Sequence, residues 1–108
     1  MDANYQKVIA AIKAKAKEIL PQGSEITLFG SRARNTARED SDWDILILTN
    51  DTSGKEETFN KYGFPFCEIG WYLDADINPL IYSKNEWDSQ KHTYFYHTVM
   101  KDAIKIYS

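Results

Sequence analysis

Asp42 and Asp44 stand one residue apart at the head of an apolar run, Ile45 to Leu48, and a Gly-Ser pair, Gly30-Ser31, precedes them across a polar spacer. In an extended strand, residues i and i+2 project to the same side. Both carboxylates then aim one way, while Trp43 and Ile45 face the other. Two hard oxygen donors on one face can hold Mg²⁺, which binds through one or two carboxylates and fills its octahedron with water and substrate phosphates. The pair points to phosphate chemistry. A glycine in the preceding turn lets the backbone approach a ligand closely. A helix starting near Ser31 would turn free N–H groups and its positive dipole end toward the same anion. The Ser31 hydroxyl adds a donor for a terminal phosphate, and Arg32 and Arg34 are cations able to neutralise charge there. Asp-x-Asp alone is common at strand ends and helix caps. The joint pattern says more, because carboxylates entering a buried strand are costly unless something compensates them.

The elements around these residues follow from periodicity. Val8, Ile9, Ile12, Ala16, Ile19 and Leu20 recur at helical spacing, which predicts a helix over 3–20 ended by Pro21-Gln-Gly23. Strands are expected near 25–29 and 43–49, flanking the Gly-Ser turn, and Asn50 to Gly54 reads as a turn. Lys55 to Lys61 is too polar to assign. A third strand is expected in part of 66–74 and a fourth over 76–82. Ser83-Lys-Asn-Glu-Trp87 has the spacing of a capped helix start, and the last segment reads as helical to about Ile106. Its candidate packing positions are Trp87, Tyr94, Phe95, Val99, Met100, Ala103 and Ile104. Together these describe an α/β (α+β) chain with a small mixed sheet and flanking helices, read as a single domain over 1–108.

Composition narrows the class. With 108 residues, 43% of them hydrophobic and 14% aromatic, the chain can build one core. The single cysteine, Cys67, excludes an internal disulfide and sits in an apolar context, so it reads as a structural thiol in a reducing compartment. Neither a signal peptide nor a membrane-length apolar run is present, and a cytoplasmic setting is expected. A net charge of −3 argues against a broad nonspecific grip on nucleic acid. Lys13, Lys15 and Lys17 read as a solvated helix face, whereas Arg32, Arg34 and Arg38 lie beside the proposed site. His92 and His97, five residues apart, do not share a helical face well and read as structural or surface residues. Tyr94, Phe95 and Tyr96 belong either to the core or to an exposed partner patch.

At Gly30-Ser31-Arg-Ala-Arg34 and Ser41-Asp-Trp-Asp44 the chain resembles the nucleotidyltransferase superfamily that includes DNA polymerase beta, and in particular its minimal stand-alone members. One departure is Asn35, where such sequences usually carry glycine; asparagine tolerates the left-handed backbone region better than most residues. The resemblance implies transfer of a nucleoside monophosphate, with AMP from ATP as the expected case, to a hydroxyl acceptor with release of pyrophosphate. It implies two Mg²⁺ ions bridged by Asp42 and Asp44, with Gly30 and Ser31 on the triphosphate and a third carboxylate on a neighbouring strand.

Asp74, Asp76 and Asn78 share one parity if that strand is unbroken. Asp76 is the expected third acid and catalytic-metal ligand. The competing alignment puts Asn78 there, which would weaken the metal site and remove a base for the acceptor. The chain resembles the catalytic core alone, so acceptor specificity is expected from a homo-oligomer or a separate protein. Relatives of this kind are often paired with a helical toxin of the HEPN type, making an antitoxin role the implied setting. The alternative is a catalytically degenerate module that keeps the fold and acts by binding a protein partner.

Overall fold

The computed structural model describes residues 3–38 and 40–108. Helix α1, Ala3–Ile19, opens the chain. Its buried stripe, Val8, Ile12 and Ala16, continued by Leu20, recurs every fourth residue and lies on one face of a four-stranded sheet. The strands are β1, Glu25–Phe29, β2, Trp43–Thr49, β3, Ile77–Ser83, and β4, Ile104–Tyr107, in the spatial order β3-β2-β1-β4. β1 pairs antiparallel with β2 and β4, whereas β2 and β3 are parallel.

Alternation along the strands sorts side chains to two faces. Trp43, Ile45, Ile47, Ile26, Leu28, Ile77 and Ile81 form the main core with α1 and Phe66. Leu46 lies on the other face in a smaller cluster with Trp87 and Val99, against which Phe29, Leu48, Leu80, Tyr82 and Tyr96 pack. Asp44 and Asn78 share the parity of Leu46 and Leu80, which places them at one end of this second face.

Two expectations are corrected. The segment 66–74 is helical: α3, Lys55–Thr58, a π-helical turn, Phe59–Gly63, and α4, Phe64–Leu73, run on from one another. Parallel strands cannot be joined by a tight turn and need a crossover, here supplied by this helical segment. Phe66, Ile69, Gly70 and Leu73 turn to the core at helical spacing. Gly70 is packed so closely that an added Cβ would lie 2.4 Å from the Ala75 carbonyl oxygen. The aromatic content of Phe64 to Leu73 suits a strand, but tertiary connectivity overrides that propensity.

The second correction concerns the C-terminal segment. It is helical only over α5, Lys84–Asp88, and α6, Tyr94–Met100, and ends as β4 against β1. Of its candidate packing positions, Trp87 and Val99 are buried, whereas Tyr94 is 87% exposed and Phe95, Met100 and Ile104 are also exposed.

The expected helix start at Ser83 is a complete capping box, with Glu86 N–H donating to Ser83 Oγ at 3.1 Å and Ser83 N–H donating to Glu86 Oε1 at 3.0 Å. It turns the chain from β3 into α5 and seats Trp87 on the second face. Ser83→Ala should lower unfolding stability by about 1 kcal/mol in urea titration, the usual worth of such a cap.

Candidate functional site

β1 runs up to Phe29, the Cα partner of Asp44 on β2, and the chain then reverses through Gly30. Gly30 has φ 74°, and a Cβ on it would lie 2.5 Å from Asp44 Oδ2. Only glycine meets both the positive φ and this close approach. From Ser31 the chain makes one helical turn, α2, Ser31–Arg34, in which the Gly30 carbonyl accepts from the N–H groups of Ala33 and Arg34, each at 3.1 Å. The first N–H groups of such a turn have no partner within it. Asn35 closes α2 in the left-handed region at φ 59°, as its residue type allows.

The two arginines of α2 differ in their engagement. Arg32, expected at a phosphate, lays its guanidinium 4.3 Å from the Trp43 ring centroid and donates from Nη2 to the Ser41 carbonyl at 2.9 Å. It thereby brackets Asp42 from both neighbouring residues. A guanidinium is suited to this because it is planar, stacks on aromatic faces and forks its donors. Arg34 is exposed, and its charge acts on Asp44.

Asp42 is exposed, whereas Asp44 is half-buried. Burial pushes the Asp44 carboxyl above its ordinary range; Asn78 hydrogen-bonds to it and pulls the other way, the Asp42 charge raises it further, and Arg34 lowers it. Asn78 also donates from Nδ2 to Asp42 Oδ2 at 2.8 Å, and it is the Cα partner of Asp44 across the β2/β3 pairing. The strand parity shared by 74, 76 and 78 does not extend back from Ile77. α4 ends at Asp74 with φ 53°, Ala75 N–H donates back to the Gly70 carbonyl at 2.8 Å, and extended structure starts only at Ile77.

The expected group of Asp42, Asp44 and Asp76 is therefore not assembled, and no cluster of three acidic, histidine or cysteine ligands occurs among the described residues. Asp76 accepts the Trp43 N–H through its carbonyl at 2.7 Å. Its side chain is exposed in a cleft of about 950 Å³ that includes Arg32, Ser41, Trp43, Trp71 and Asp74 but neither Asp42 nor Asp44. Its charge is felt at Cys67, where burial is the main cause of a raised thiol pKa and Asp76 adds to it. His92 and His97 are both exposed.

As a donor set, Asp42 and Asp44 fit one Mg²⁺, which needs no closed protein cage. For two ions bridged by three carboxylates the described residues are one acid short, and an amide occupies the neighbouring position. Sequence reasoning missed the Arg32–Trp43 stack; its signal was the Arg-Ala-Arg turn followed by a tryptophan between the two aspartates.

A family model described as a nucleotidyltransferase domain matches residues 9–105. The chain belongs to this family. A chain in a crystal structure of a toxin-antitoxin with AMP-PNP is similar to this nucleotidyltransferase domain, with a TM-score of 0.62, 21% identity, and coverage of 94% of this chain and 71% of that one. At that identity the likeness establishes the fold, a mixed sheet with flanking helices. No curated protein matches the sequence.

Two outcomes follow from this packing. Gly30→Ala should cost about 1–3 kcal/mol of unfolding stability, since it adds a strained φ to a clash with Asp44. Asp44 has a folded pKa above its ordinary 3.8, so the native state binds more protons than the unfolded state between those values. Its contribution to stability therefore falls as pH rises through that window and is a penalty at neutral pH. Asp44→Asn should remove the penalty and leave the Tm at pH 7 no lower than wild type by calorimetry.

Proposed function

We propose that this protein binds a nucleoside triphosphate, with ATP the expected one, at the Gly30-Ser31 turn and a divalent ion at Asp42 and Asp44, and transfers the nucleoside monophosphate to a hydroxyl acceptor. The observation that carries the reading is the Gly30–Asp44 approach. A bare glycine turn is pressed against the carboxylate, so a phosphate lying along the backbone and a cation on Asp44 would share one small volume.

Each residue then has a role the geometry permits. The leading N–H groups of α2 and the Ser31 hydroxyl donate to phosphate oxygens. Arg34 adds positive charge beside Asp44. Arg32 acts as a positioning residue, holding Ser41 and Trp43 on either side of Asp42. Asp42 and Asp44 would hold Mg²⁺, which when bound supplies charge neutralisation on the triphosphate. The acceptor oxygen bonds to the α-phosphorus, the bond from that phosphorus to the bridging oxygen breaks, pyrophosphate leaves, and the hydroxyl proton passes to solvent at this open end of the sheet.

The family membership and the fold shared with a toxin-antitoxin chain crystallised with AMP-PNP support an intracellular antitoxin setting. The acceptor in that setting is a hydroxyl on a helical toxin of the HEPN type, modified by AMP. No helix among the described residues is long and apolar enough to cross a membrane, which is compatible with a cytoplasmic location. A second reading, a module that binds nucleotide and a partner without transfer, is favoured by Asn78 beside the aspartates where a carboxylate would be expected.

Calorimetric titration of ATP with Mg²⁺ should give binding in the wild type, weakened by about tenfold or more, equivalent to about 1.4 kcal/mol, in Asp42→Asn/Asp44→Asn. Absence of binding to the wild type at millimolar ligand would sink the nucleotide reading. Binding without α-labelled AMP appearing on a co-expressed toxin would favour the second reading. Because protons compete with the cation for an Asp44 carboxyl whose pKa is raised, Mg²⁺-dependent binding should weaken on acidification at a higher pH than an ordinary aspartate would impose.

A further inference from the structure

Beside the two aspartates stands a hydrogen-bond donor, and its identity bears on how much positive charge the site can accept. Asn78 and Asp44 are Cα partners in the β2/β3 pairing. Asn78 Nδ2 donates to Asp42 Oδ2 at 2.8 Å, and the same amide lowers the Asp44 carboxyl's pKa against the effect of burial. The orientation of the amide follows from chemistry. Ionised carboxylates only accept, so the group turned toward the pair is the NH₂ and not the carbonyl. An amide NH₂ turned toward the pair puts partial positive charge where the carboxylates would otherwise repel each other.

We propose that Asn78 restricts this site to a single divalent cation, held by Asp42 and Asp44 together with the nucleotide phosphates, and that a carboxylate at position 78 would admit a second. The inference rests on the nucleotide-binding reading above. Two carboxylates match the charge of one divalent ion. A second ion would meet N–H groups instead of oxygen. For Asn78 to serve as a ligand, it would have to break its bond to Asp42 and rotate to present a neutral carbonyl oxygen in place of an anionic one. Hard cations of this kind are held through oxygen, and sites with more carboxylate charge bind them more tightly. Among the described residues the nearby acids do not substitute: Asp40, Asp74 and Asp76 line the separate cleft around Trp43.

The test counts Mn²⁺ bound per AMP-PNP on the whole protein by electron paramagnetic resonance. Wild type should hold one Mn²⁺ per bound nucleotide. Asn78→Asp should hold two, with the line broadening of two coupled ions. Two ions on the wild type, or one on a folded Asn78→Asp protein, would overturn the proposal. Asn78→Ala keeps the question answerable if Asn78→Asp does not fold. Freed of the competing amide, that variant should bind its single Mn²⁺ about two- to tenfold more tightly, the worth of one hydrogen bond. Weaker binding would identify Asn78 as a ligand and overturn the clamp. Wild type that binds neither AMP-PNP nor Mn²⁺ would overturn the nucleotide reading itself, an outcome distinct from binding nucleotide with the wrong ion count.

Discussion

The parallel pairing of β2 with β3 is the constraint on which the remaining architecture depends. Its register sets Trp43 against Ile77 and Asp44 against Asn78, and therefore decides which side chain stands beside the two aspartates. A parallel pair also demands a crossover, and that demand turns an aromatic-rich stretch into α4. α4 in turn closes the main core through Phe66 and brings Gly70 against Ala75, so the chain re-enters the sheet only at Ile77. One residue earlier, Asp76 accepts the Trp43 N–H through its backbone carbonyl, and its side chain lines the cleft beside Trp43.

The candidate site is an electrostatic compromise built into the edge of a core. Asp44 is the second residue of β2, the next three residues are fully buried, and its carboxyl carries the desolvation that goes with that place. Asn78 and Arg34 reduce the cost without removing it, and the neighbouring Asp42 charge adds to it. Such a group is held in the native state by packing around it, not by its own contribution to stability, which is the usual condition of residues kept for chemistry. Arg32 serves the same arrangement from the opposite face. Stacked on Trp43 and bonded to the Ser41 carbonyl, it fixes the backbone on both sides of Asp42 at the point where the strand has barely begun.

Local signals were legible where local physics decides the outcome. The stripe of α1, the strands on either side of Gly30, the capping box at Ser83 and the left-handed Asn35 all follow from spacing, branching and backbone sterics within a few residues. Phe64 to Leu73 and the C-terminal segment were misjudged for one shared reason. Apolar aromatic residues suit either a strand or a buried helix, and the choice is made by what each segment must connect or pair with. β4 exists because β1 would otherwise present an unpaired edge, and no residue near Ile104 announces that partner.

What the sequence determined by itself was the chemistry available: a glycine turn, two carboxylates on one strand face and an apolar strand behind them. Turn sterics and the period of two are properties of contiguous residues. What only the tertiary structure decided was which groups meet. It joined Gly30 to Asp44, Arg32 to Trp43 and Asn78 to Asp42, and it sent Asp76 to a different cleft. Those contacts span separate strands and turns, and their geometry comes from strand register, which a one-residue shift would reverse from face to face.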